Sequence, residues 1–542
     1  MPNFRASVGH NPSINVKRAN PITFVGQEIG LTVGVPGGWQ LAAGHFMPAK
    51  MVPTIIHPRP NAETNSYARC RLAPSGIPWE LRVVVLGGAW PFKYELTTGP
   101  SGAVMTRETL PTDWLTNGFQ GYGRIGWTAP TVGTHSFAVR VTDQSGTQAT
   151  VSWTLTVVDR ENTTNFMFLN PTTGNNANSG AFSSPRQTMN GWYESDKNGN
   201  SAHSTKQIFY RGGTYSVLAI AGFGGQANQA DMVTGKPEVH IGYPGETVTW
   251  NFGPGCYIDW ESSGRDICLH NLTWTNPETG VGGHKAFLQN YAEGAADRTH
   301  IDKIFLDGGG TTPSADSTNS AAIMIDGQPS AESNYVSITD CTFYRCSNMD
   351  LVLYYNNDNS VFEGNFITGG YQWTGDQHSW GVFIKGQDNV NYSIRANVMI
   401  DGTINLPFFF MSEFTGELKG NVEVCWNNLE STGSVGPIAL GQGSGGGGNY
   451  GPMWAYRNNL RCDTMEIVNW DNGPFYFEEN AVLHDGTQSA TDGLEYLSGT
   501  VATDIVRQNN LSGSSGILDL TTNLLTGASR TSSLGLRGCE VA

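Results

Sequence analysis

Between Gly369 and Trp380 the chain places three aromatic residues beside an acid and an imidazole, in the run Gly369-Gly-Tyr-Gln-Trp-Thr-Gly-Asp-Gln-His-Ser-Trp380. Asp376 and His378 can exchange protons. Tyr371, Trp373 and Trp380 offer flat apolar faces of the kind that stack on sugar rings. Lys385 leaves the strand-like run that follows, and Glu413 leaves the next one. Asp376, His378, Lys385 and Glu413 are therefore the candidate catalytic residues, in a long insertion of the sort that tends to carry function. Two chemistries fit. A glycoside hydrolase needs two carboxyls, ~5 Å apart for retention and up to ~9.5 Å for inversion. A lyase needs a base, for which Lys385, His378 or Tyr354 would serve, beside a charge-neutralising cation.

The elements that must hold these residues repeat. An apolar residue, two variable ones and an Asn recur as Cys268-Leu-His-Asn271, Phe362-Glu-Gly-Asn365, Ile394-Arg-Ala-Asn397, Cys425-Trp-Asn-Asn428, Tyr456-Arg-Asn-Asn459 and Phe477-Glu-Glu-Asn480, with Cys341 in the Asn slot of Ile338-Thr-Asp-Cys341. A looser copy ends at Asn510. A second apolar series interleaves with the first: Ile325, Leu353, Ile384, Phe410 and Leu440. A period of roughly 20 to 35 residues with Gly and Asn at its joints predicts a solenoid. Stacked coils give parallel strands ~4.8 Å apart, and Asn repeated at one bend can form a hydrogen-bonded ladder. The fold class expected is all-β, a right-handed parallel β-helix.

This repeat resembles the pectate-lyase-type β-helix superfamily, which includes polysaccharide lyases, glycoside hydrolases and bacteriophage tailspikes. The segment from Phe168 to Pro185, followed by Tyr210-Arg-Gly-Gly-Thr-Tyr215, is similar to the way such helices begin. The resemblance covers roughly residues 165–520 and specifies fold far more than chemistry, because one fold hosts many reactions.

Composition narrows the function classes. The 31 basic and 47 acidic residues give a formal charge of −16, which argues against nucleic acid as a partner. Charged residues make up 14% of the chain, so the polar surface is largely Asn, Ser, Thr, Gly and Gln, suited to neutral sugar hydroxyls. Eight cysteines show no metal-ligand spacing, and Cys268, Cys341 and Cys425 read as packing thiols. Neither a cofactor nor a metal is expected. Asp143 resembles a cadherin-type calcium position but lacks partner acids in series. The opening residues contain no apolar leader and no later run approaches a membrane span. That fits a protein released by lysis, and no membrane insertion is expected.

In order along the chain, residues 1–75 read as a loop-rich or attachment segment. Residues 76–160 alternate apolar and polar in Trp79–Val85, Phe92–Leu96, Ser136–Thr142 and Thr150–Val157, an antiparallel sandwich that resembles immunoglobulin-like or cadherin-like modules. Residues 165–520 form the β-helix, and 521–542 a cap or tail.

Two outward features bear on partners. Beside the second series lie Met324, Val352, Phe383, Phe409 and Ala439, so that strand is apolar on both sides and must be covered, by a loop or another subunit. Two positions before the Asn slot lie Glu363, Arg395, Trp426, Arg457 and Glu478. Stacked, Arg395, Trp426 and Arg457 make either a strip that grips a sugar or an ordinary cross-coil charge ladder. The resemblance then implies a homotrimeric phage tailspike on the virion. It would bind and cleave host cell-surface polysaccharide and join tail or baseplate proteins through its N-terminal region. A secreted, extracellular polysaccharide lyase or hydrolase is the second reading, and a non-catalytic tail or adhesion protein the third.

Overall fold

A computed structural model describes residues 50–107, 122–188, 206–217, 239–252, 258–259, 266–275, 288–290, 297–308, 321–326, 333–344, 346, 350–355 and 357–368. It further describes 380–385, 389–399, 406–412, 418–430, 438–442, 449–450, 452–462, 465–467, 475–484, 494–496, 505–508 and 511–513. All regular structure among them is strand, and no helix is long and apolar enough to cross a membrane.

The first eight strands build a sandwich. They are β1 (Thr54–His57), β2 (Leu72–Pro74), β3 (Trp79–Leu86), β4 (Lys93–Thr98), β5 (Ala103–Arg107), β6 (Gly123–Trp127), β7 (Gly133–Thr142) and β8 (Gln148–Val158). One sheet has the order β1-β3-β6-β5 and the other β2-β8-β7-β4. Period-two alternation works as expected: Trp79, Leu81, Val83 and Val85 enter a core shared with Ile125, Phe137, Val139, Trp153 and Leu155. Two strands, β1 and β2, fall before residue 76, inside the stretch read as loop-rich; they are too short to show alternation. Asp143 serves a turn, accepting from Ser145 Oγ at 2.6 Å, Thr147 N at 2.9 Å and Ala89 N at 3.0 Å.

From Phe166 onward parallel strands stack coil on coil, forming the β-helix. Two strand rows flank the Asn bend, and a nine-stranded sheet runs along another side. The interior is a continuous apolar column that includes Leu269, Ile301, Ile338, Phe362, Ile394, Val424, Ala455 and Phe477.

The bend is held by a side-chain ladder. Asn365 Oδ1 accepts from Cys341 N at 3.0 Å, Asn397 from Asn365 N at 2.9 Å, and Asn427, Asn458 and Asn480 each accept from the backbone N of the rung before at 3.0 Å. Each Asn Nδ2 also donates to a neighbouring backbone carbonyl, as Asn427 does to Ile394 O. The rungs are therefore Asn427 and Asn458, where the sequence pattern pointed to Asn428 and Asn459. Where two Asn are adjacent, the first fills the slot, because the residue preceding every slot takes a left-handed backbone: Asp340, Gly364, Ala396, Trp426, Arg457 and Glu479 all have positive φ. Asn271 likewise sits one place early, at φ 57°, and Leu272 occupies the slot, in register with Ile304. A second, partly buried ladder, Asn334–Asn359–Asn391–Asn421, braces another bend.

In the nine-stranded sheet the register pairs Met324 with Leu353, Phe383, Phe409 and Ala439, and Ile325 with Tyr354, Ile384, Phe410 and Leu440. At one coil this shifts the expected assignment by a residue. Leu353 belongs with the Met324 row, and Val352 with the row of Ile323 and Val382. Tyr354 shares the register row of the core residues Ile325 and Ile384. The row through Met324 is apolar at every position, and Met324 is buried.

Candidate functional site

The strand row before the Asn bend points alternate residues away from the core. Its outer row reads His270, Asp302, Thr339, Glu363, Arg395, Cys425, Tyr456 and Glu478 on successive coils. In an isolated β-helix this row would face water. Here it is buried, because the β1-β3-β6-β5 sheet lies against it. Strand β3 has two working faces: Trp79, Leu81, Val83 and Val85 fill the sandwich core, while Arg82 reaches the coils and Val84 and Leu86 pack with Val361.

Three guanidinium groups meet three carboxylates in this seam. Arg82 donates to Asp340 Oδ2 at 3.0 Å and to Glu363 Oε1 at 2.8 Å. Arg124 holds Asp302 through both nitrogens, at 2.8 and 3.0 Å, and also reaches Asp340. Arg395 pairs with Glu363 and donates to the carbonyls of Val85 and Gly87. All six side chains are buried, so each charge depends on its partner. At one end His270 bridges Asp302, 2.9 Å from Nδ1, and Glu80, 3.0 Å from Nε2. Lys303 Nζ donates to Glu80 at 2.9 Å.

These contacts fix protonation. Burial opposes ionisation of Asp302, but Arg124 and the His270 hydrogen bond outweigh it and hold the carboxyl well below its usual range. Glu80 is held low in the same way, against its burial, by Arg124, His270 and Lys303. Burial pushes His57 down to about 3 and His300 well below its usual value; the two rings lie 3.5 Å apart across the seam. At this end of the seam Asp302 and Glu80 are therefore held as carboxylates, and His57 and His300 as neutral imidazoles, so none of these four is an acid ready to donate a proton to a leaving group near neutral pH. The seam's chemistry is docking. Among the described residues no cluster of His, Cys, Asp and Glu could hold a metal ion.

Where the seam meets solvent there is a cleft of about 320 Å³ bordered by Trp79, Glu80, Thr106, Trp127, His270 and Lys303. That is the size at which ligand pockets begin.

The structure places the candidate residues unequally. Arg395 is fully buried against Val85, Gly87 and Glu363. Arg457 is buried, donates to Glu479 at 2.8 Å and lies over the Trp426 ring. Trp426 is buried against the sandwich. These three do not form an open sugar strip, because the sandwich covers it and because Trp426 and Arg457 stand at the left-handed positions, one place off the row. Trp380 opens and Lys385 closes the strand Trp380–Lys385, five residue steps or ~16 Å apart. Glu413 directly follows Leu406–Ser412, the parallel strand beside it. Lys385 thus ends its strand five residues beyond Trp380, the last residue of the insertion. Tyr371, Trp373, Asp376 and His378 lie outside the described residues, as does Glu413 itself.

Arg82 and Arg124 were missed by sequence reading. Polar residues alternating with the core of β3 are visible as an outer face, but nothing in the pattern says that another part of the chain covers it.

Against known proteins, the sequence matches no family model and no curated protein. Among solved structures the chain is similar to a family 28 exopolygalacturonase of Yersinia enterocolitica, at 8% identity and TM-score 0.34, covering 81% of this chain and 97% of that one. It is also similar to Dex49A from Penicillium minioluteum, at 9% identity and TM-score 0.30, covering 81% and 76%. The catalytic domain of a GH87 α-1,3-glucanase in complex with nigerose gives 10% identity and TM-score 0.27, covering 86% and 93%. Scores of this size transfer no residue, substrate or reaction to this chain.

Proposed function

We propose that this chain is a carbohydrate-active β-helix protein of the bacteriophage tailspike type, binding host surface polysaccharide and cleaving it. The observation that carries the reading is the unbroken apolar row Met324–Leu353–Phe383–Phe409–Ala439 on the nine-stranded sheet. Such a row suits the side-by-side packing of three copies. The strand orders β1-β3-β6-β5 and β2-β8-β7-β4 support reading the sandwich as an immunoglobulin-like module.

With the outer row before the Asn bend sealed, a polymer has to be bound elsewhere. In sequence the insertion 369–380 leads into the strand Trp380–Lys385 of the nine-stranded sheet, and Glu413 follows its neighbour Leu406–Ser412. Asp376, His378, Lys385 and Glu413 remain the residues assigned to bond cleavage, with Tyr371, Trp373 and Trp380 as stacking faces. The test is a digest of host surface polysaccharide by the wild-type protein and by Glu413→Gln and Asp376→Asn. A hydrolase groove loses orders of magnitude in turnover in both variants while adsorption persists, since a proton-transfer group acts on the transition state. An unsaturated product would identify a lyase instead. Adsorption without any cleavage by the wild type would leave a binding spike and remove the catalytic reading.

A further inference from the structure

Two buried carboxyls of the seam are treated differently. Glu363 is paired with both Arg82 and Arg395. Glu423, two coils further along, is fully buried and forms no ion pair among the described residues. It accepts two long hydrogen bonds, from Met51 N and from Ser393 Oγ, each 3.3 Å. A carboxylate in that position is buried with no cation at bonding distance among the described residues, so its neutral form is favoured.

The contacts of Glu423 are the sandwich's leading edge. Met51 lies three residues before β1. Ser393, which donates to Glu423, also accepts from Gly87 N at 2.8 Å. Three residues beyond Gly87, Trp90 lies against Trp426 of the coils. Glu423 thus holds this edge at Met51 directly and at Gly87 through Ser393.

We propose that Glu423 is a proton-controlled latch. When neutral it lets Met51 and Gly87–Trp90 lie closed on the coils, and when ionised it draws water beneath that edge and loosens it.

Burial raises this carboxyl to about 7, against the pull of Arg395 and Lys50, so the latch changes state near neutral pH. The other groups around it keep their charge there. Cys425 and Tyr456 are pushed up by burial and stay neutral. Arg395 stays charged. Lys50 is tied to Glu478 at 2.9 Å. The folded state holds this proton more tightly than the unfolded one, so the contribution of Glu423 is fully present below about 4.5 and is lost as pH rises towards 7.

The experiment follows the near-ultraviolet circular dichroism of the Trp90–Trp426 pair in the full chain from pH 6 to 8.5. Wild type should titrate with a midpoint near 7, and Glu423→Gln should give a flat, low-pH-like signal across the range. A wild-type signal that does not change, or a transition that survives in Glu423→Gln, overturns the latch. If Glu423→Gln does not fold, Lys50→Met takes its place. Removing a nearby cation should move the midpoint upward, and an unmoved midpoint counts against Glu423.

Discussion

Trp90 of the sandwich lies against Trp426 of the β-helix, ring centroids 5.1 Å apart and planes tilted by 51°. The indole that looked like a sugar platform is thus part of a contact within the chain. Arg457 lies over the same ring, 5.2 Å from its centroid. Replacing Trp426 with Ala should therefore cost about 3–5 kcal/mol of stability, read as a lower urea midpoint. Polysaccharide adsorption by the folded fraction should be unchanged. Normal stability with lost adsorption would return Trp426 to a binding role.

The seam also predicts an acid limit. His57 and His300 are neutral in the folded chain because burial lowers them, His57 to about 3. Unfolding frees them to take up protons at the ordinary imidazole value near 6.5. Stability should fall as pH drops from about 6.5 towards 3. Asp302 and Glu80, held low, add a further loss as pH falls through their depressed values. Thermal midpoints measured across this range should decline. His57→Gln should flatten the upper part of the decline, and an equally steep curve in that variant would argue against the buried imidazoles.

The two Asn ladders should differ in weight. Asn427 is fully buried and its removal strands partners on both sides, at about 1–3 kcal/mol for each unsatisfied group. Asn421 is partly buried, and water can replace its bond to Asn391. Asn427→Ala should destabilise by more than ~2 kcal/mol and Asn421→Ala by about half of that or less. Denaturant midpoints of the pair decide this, and equal losses would contradict it.

Assembly can be checked by mass. Light scattering of the purified chain should give about three times 58.5 kDa. Phe383→Asp or Phe409→Asp should dissociate the trimer, because burying an unpaired carboxylate costs several kcal/mol. If the mass stays at one chain in the wild type, the apolar row is covered in some other way.

Much of the solenoid was legible because its signal is repeated. Each Asn phrase is weak alone, and the stack makes it strong. Where the phrase contained two adjacent Asn, at 427–428 and 458–459, sequence could not choose between them. The choice rests on which residue adopts positive φ, and Trp426 and Arg457 are not residue types that advertise it. The sandwich strands β3, β7 and β8 were plain from alternation. The seam was invisible for a different reason. A polar outer row looks the same whether it faces water or a complementary set of charges, and Arg82 stands 281 residues from Glu363 in sequence. Glu363 and Arg395 were recognised as neighbours, because one coil separates them.

The span of the seam has a consequence for how the molecule comes to be made. Lys50 and Glu478 touch across 428 residues of chain, so the part synthesised first is seated on coils synthesised much later. Until those coils exist, Arg82 lacks Asp340 and Glu363, and Arg124 lacks Asp302 and Asp340. It follows that closure of the sandwich comes late, after the coils from about 266 to 484 have stacked, and that it is slow, as contacts distant in sequence are. Once closed, it lies along those coils as a splint lies along a column, and coils in the middle cannot part without releasing it. Persistence of the folded chain is then governed by an opening rate more than by an equilibrium.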